Sequence, residues 1–79
     1  MSRTDKEKAT QYSAMEDSVE TINSIIDESK IPNATTEEKK ERITRNYIHL
    51  ERMVAKDDWG SEDMTASNNA ITAGKEYVG

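Results

Sequence analysis

The residues able to do chemistry in this chain of 79 residues are few: one histidine, His49, no cysteine, and a scatter of hydroxyls and carboxylates. Without cysteine there is no thiol nucleophile, no disulfide and no thiolate ligand for zinc. The Glu-x-x-His unit that di-metal helical bundles use is also missing, because Asn46 stands three residues before His49. His49 has Glu51 as its nearest carboxylate in sequence and basic residues around it, a poor setting for a hydrolytic triad. At about 100° per residue, Arg45, His49, Arg52 and Lys56 fall on one helical face, opposite Tyr47 and Leu50. Such a stripe can meet phosphates or the acidic side chains of a protein. A net charge of −5 and the absence of an interleaved aromatic residue favour the protein-contacting or solvated reading and disfavour nucleic acid. No catalytic residue, metal ligand or cofactor is implied.

A second cluster, Asp57-Asp58-Trp59-Gly60-Ser61-Glu62-Asp63, gathers four carboxylates in seven residues. It misses the calcium-loop spacing: Trp59 occupies the third position, where an oxygen ligand is needed, and the sixth position is not glycine. Trp59 then has two readings. It closes the end of a bundle as the largest single apolar side chain, or it stands partly exposed as an interface anchor. Ile48, Met53 and Tyr77 are the further candidate anchors on helical faces.

Helices must position these groups. Tyr12, Met15, Val19, Ile22 and Ile26 advance by three and four residues and predict a first helix over 5–29, with a frayed start across 1–8 where nothing apolar is available to pack. Pro32 turns the chain. Thr35 with Glu38 forms a capping-box pattern that opens a second helix over 36–57, carried by Ile43, Tyr47, Leu50 and Val54. Ser61, followed by Glu62 and Asp63, predicts the cap of a third helix over 61–77. Met64, Ile71 and Val78 recur there every seventh residue, beside a small-residue surface of Ala70, Ala73 and Gly74. No segment alternates with the period of a strand. The fold class is therefore all-α, a helical hairpin plus a shorter third helix in one domain over 1–79.

Composition sets the scale. Eighteen large apolar side chains follow the first methionine, with no phenylalanine, which makes a thin core for a domain this small. Residues 1–30 carry −3, residues 31–56 carry +2 and residues 57–79 carry −4, so a basic middle helix lies between acidic neighbours. The longest apolar run, Ile25-Ile26, is far short of a membrane span, and the charged start does not read as a signal peptide. A second stripe of Ile48, Ala55 and Ile25 is left over, as if for a partner or for self-association.

The run Arg45-Asn46-Tyr47-Ile48-His49-Leu50-Glu51-Arg52-Met53-Val54-Ala55-Lys56-Asp57-Asp58-Trp59, followed by Glu62-Asp63 and Ala70-Ile71-Thr72-Ala73-Gly74, resembles small proteins of tailed bacteriophages, including those of cyanobacteria and other marine bacteria. The resemblance covers roughly residues 45–77, and Gly60 departs from it where a hydroxyl residue is usual. It implies phage origin and transfers no site residue. Together with the residue pattern, it sets the expectation of a non-enzymatic protein that binds a host or phage protein in the cytoplasm of the infected bacterium. The alternatives are a virion component of the head, neck or capsid surface, and a nucleic-acid-binding regulator using the basic face.

Overall fold

The computed structural model describes residues 4–56 and 58–79, which form three helices: α1 (Asp5–Ile26), α2 (Thr36–Val54) and α3 (Thr65–Val78). All three pack on one another, and no strand occurs among the described residues. The unit is elongated, 41 × 20 × 19 Å, with its long axis set by the 22 residues of α1. Two helices open on threonine caps: that of α2 follows the Thr35 and Glu38 pattern, and Thr4 caps α1 within the stretch expected to fray. Thr4 Oγ1 accepts a hydrogen bond from the Glu7 amide and Thr35 Oγ1 accepts one from the Glu38 amide, each at 3.1 Å, so each helix opens on a threonine cap followed by acids in the positive first turn.

The ends depart from expectation. Helix α1 stops at Ile26 rather than residue 29, because Glu28 takes a left-handed conformation (φ 64°). Its amide donates to the Ile25 carbonyl and the Ser29 amide to the Ser24 carbonyl, the pairing that closes a helix C-terminus, usually around a glycine. Ile31 is also left-handed (φ 44°), and its carbonyl accepts from the Ala34 amide across Pro32. Helix α2 ends at Val54 instead of continuing to residue 57; Asp57 itself lies outside the described residues. The Trp59 indole donates to the Met53 carbonyl at 2.7 Å, taking an acceptor from the last turn.

Helix α3 begins at Thr65, four residues later than Ser61 predicts, and Ser61 caps nothing among the hydrogen bonds of this segment. Residues 58–64 are spent instead on bringing Trp59 inward. Gly60 turns left-handed (φ 67°), the Glu62 amide donates to the Trp59 carbonyl, and the Tyr12 hydroxyl donates to the Asp63 carbonyl at 2.7 Å from across the bundle. Asp63 Oδ1 then accepts from the Thr65 amide at 2.8 Å.

The core is one cluster of Met15, Ile22, Ile25, Ile43, Leu50, Trp59 and Ala70. Ile25 therefore belongs to the chain's own interior, not to a leftover stripe, while Ile26 is only half-buried. On α3 the buried seam is Ser67, Ala70 and Gly74, and the larger Met64, Ile71 and Val78 flank it. Small residues allow close approach: a Cβ built on Gly74 would lie 3.0 Å from Ile43 Cγ2 and 3.3 Å from Tyr47 Cδ2. Lys39 is buried along its stem, with its ammonium 3.8 Å from Glu28.

Candidate interaction faces

The outer face of α2 is built by the same rotation that buries Ile43 and Leu50. Arg45 and Arg52 are exposed on it, Lys56 is exposed just beyond the end of α2, and Ile48 lies about 40–60° around the helix from the two arginines. Ile48 is 37% exposed, the only large apolar side chain so placed among the described residues. Arg45 pairs with Glu41 one turn earlier. No ion pair engages Arg52 or Lys56 among the described residues. Backbone bonds of a 19-residue helix hold the patch, so its side chains project from a rigid support.

His49 does not share that face. It is half-buried, rotated toward α1, and its Nδ1 lies 3.0 Å from the hydroxyl of Ser18, which is itself buried. The solvated histidine of the sequence reading is corrected to an interhelical tie, and the cationic stripe on α2 reduces to Arg45 and Arg52, with Lys56 past the helix end. The Ser18–His49 pair has the reach of a nucleophile and base, and neither residue lines the four hollows formed by the described residues around Tyr12, Val19, Ala55 and Arg45.

Trp59 takes the first of its two readings. Only 7% of its surface is exposed, its ring meets Tyr12 at 6.0 Å between centroids with a 59° tilt, and its indole N–H is engaged. It is the closure of the bundle, not an exposed anchor. Met53 and Tyr77 are half-buried and pack against the core, so neither projects as Ile48 does.

On the α3 side of the patch, Lys75 donates to Glu51 at 2.7 Å and stands 5.8 Å from the Tyr47 ring centre. Glu51 holds the Lys75 ammonium above its ordinary pKa, first through the hydrogen bond and then through its charge. Rotation about α2 could not reveal this partner, because the lysine comes from another helix.

Among the described residues no three His, Asp or Glu side chains are grouped to hold a metal ion, and no helix is long and apolar enough to cross a membrane. Compared with protein families, curated proteins and solved structures, the chain gives no match.

Proposed function

We propose that this chain is a small non-enzymatic binding protein of a tailed phage that docks a protein of the infected bacterial cell through the outer face of α2. The observation that carries the reading is Ile48: a large apolar side chain exposed at 37% on a rigid helix, flanked one turn away on either side by Arg45 and Arg52. An apolar centre with a charged rim is the anatomy of a protein interface, where the anchor contributes affinity and the rim contributes register and rate. The phage assignment rests on the resemblance across residues 45–77 and brings no residue role with it.

The test compares proteins crosslinked to the tagged chain in infected cells with those recovered by Ile48→Asp and Arg52→Glu, each confirmed helical by circular dichroism. A stoichiometric partner retained by the parent and lost by both variants supports the reading. Equal recovery by all three overturns it. Mass spectrometry of purified particles separates the virion alternative, which requires stoichiometric copies in the particle. The exposure of Arg45, Arg52 and Lys56 also admits a phosphate-binding reading, which predicts duplex binding that weakens steeply as salt rises.

A further inference from the structure

Helices α1 and α3 do not close fully on one another. Between them runs a trough made of two hollows that meet at Tyr12. One, of about 350 Å³, lies between the first turns of α1 and the Trp59 loop; the other, of about 240 Å³, lies over Met15 and Val19, where α3 presents only Ala66 and Ser67. The apolar lining is Ala9, Tyr12, Met15, Val19 and Trp59. The walls are acidic. Asp5, Glu16, Glu20 and Glu62 line the two hollows against a single base, Lys8. Outside the lining, Lys30 reaches Glu20 at 3.8 Å, both side chains being largely exposed.

No α2 residue lines the trough, and α2 packs against both other helices, so the trough lies on the side of the bundle away from the cationic face. The Tyr12 phenol senses its surroundings: burial first, and then the carboxylates of Glu62, Glu16 and Asp63, raise its pKa. A cleft with low-dielectric walls and one sign of charge concentrates potential of that sign.

We infer that the trough between α1 and α3 is the docking site for a cationic amphipathic helix of a partner protein, seated alongside α1 to complete a four-helix arrangement. The walls argue for a helix. From Asp5 to Glu20 the trough follows α1 for about 22 Å, some four turns at 1.5 Å per residue. One side is α1 along the whole length and the other is the Trp59 turn followed by the first turn of α3, so the long wall offers no unpaired backbone edge and suits an occupant that satisfies its own backbone and offers an apolar stripe at i, i+3/i+4 and i+7. The rim argues for Lys and Arg beside that stripe. It equally repels nucleic acid and anionic lipid. This surface goes beyond the reading of the α2 face and stands independently of it.

The probes are two synthetic 18-residue helical peptides with the same leucine stripe, one flanked by Lys and Arg and the other by Glu, added to the isotope-labelled full chain. The cationic peptide is expected to shift the amides of Ala9, Tyr12, Val19 and Ala66, to change Trp59 fluorescence, and to bind more weakly as salt rises. Glu16→Lys with Glu20→Lys is expected to weaken it about tenfold, equivalent to ~1.4 kcal/mol. Glu16→Gln with Glu20→Gln gives a smaller loss in the same direction and serves if the reversal disturbs folding. Asp17→Lys, on the far side of α1, should leave affinity unchanged. Three results overturn the proposal: equal binding of the acidic peptide, shifts confined to the outer face of α2, or unchanged affinity in both Glu16/Glu20 variants. Self-association of the chain that Arg45→Glu with Arg52→Glu abolishes also overturns it, by making the occupant a second copy. Loss of the captured partner on Ile48→Asp but not on the Glu16/Glu20 changes leaves the α2 reading standing while this one falls.

Discussion

Gly60 and Gly74 show how one residue type serves two physical ends in this molecule. At Gly74 the constraint is space, since an added methyl would meet Ile43 Cγ2 at 3.0 Å and the fully buried Ile43 has little room to yield. At Gly60 nothing lies within 4 Å of the added carbon, and the constraint is its left-handed backbone, φ 67°. Alanine at Gly74 gains up to ~1 kcal/mol of helix propensity but overpacks the α2–α3 seam at ~1–3 kcal/mol, so a net loss of stability is expected. Asparagine separates the causes, because it tolerates left-handed geometry: Gly60→Asn should be nearly neutral in urea unfolding and Gly74→Asn strongly destabilising. Tyr12 is argued the same way. Tyr12→Phe keeps the ring beside Trp59 and removes only the bond to the Asp63 carbonyl, so a loss of ~1 kcal/mol is expected, with Trp59 fluorescence still that of a buried indole.

The helices themselves were legible wherever local chemistry decides. Steps of three and four residues located α1 and α2, and Thr35 with Glu38 marked the start of α2 to the residue. The same local rules misplace α3, because Ser61-Glu62-Asp63 satisfies the pattern of a cap while Tyr12, 51 residues away in sequence, binds the Asp63 carbonyl. His49 failed for a related reason: a modest rotation about α2 turns it from solvent to Ser18, and only the neighbouring helix reveals that. The acidic trough was invisible as well, since α1 and Glu62 come together only through the Trp59 turn. Helix ends also yield predictions. Glu28→Gly should raise stability by about 1 kcal/mol, because it keeps the α1 terminator and removes the left-handed strain, at the expense of a 3.8 Å ion pair with Lys39. Asp27 and Asp63 have lowered carboxyl pKa values, held down by hydrogen bonds from Ser29 and Thr65. A carboxylate with a folded pKa below its unfolded value stabilises above the ordinary value near 3.9 and loses that contribution as pH falls through the folded value. The contribution of these two carboxylates should therefore be full above about pH 4 and be lost as pH falls further, so the acid-side fall of the urea midpoint should be shallower in Asp27→Asn combined with Asp63→Asn.

For the molecule as a whole, the consequence of a thin core is that its parts cannot melt separately. Met15, Ile22, Ile43 and Leu50 come from α1 and α2, Ala70 from α3 and Trp59 from the turn between α2 and α3, yet they form one cluster, with no second core among the described residues. A domain of this size holds roughly 0.05–0.15 kcal/mol per residue, so its total stability is about 4–12 kcal/mol. Leu50, fully buried, is worth ~2–5 kcal/mol on truncation to alanine, a large share of that total. Helicity by circular dichroism and the fluorescence of Trp59, the sole tryptophan, should accordingly give coincident unfolding curves, and Leu50→Ala should move both midpoints down together. A Trp59 signal that melts ahead of helicity would mean that the 58–64 turn opens on its own. The trough beside Trp59 would then lose part of its apolar lining before the helices separate, and docking there would depend on the population of the closed turn. Coincident curves place the trough and the α2 face on one cooperative body, so that a ligand saturating either face should raise the common midpoint by mass action.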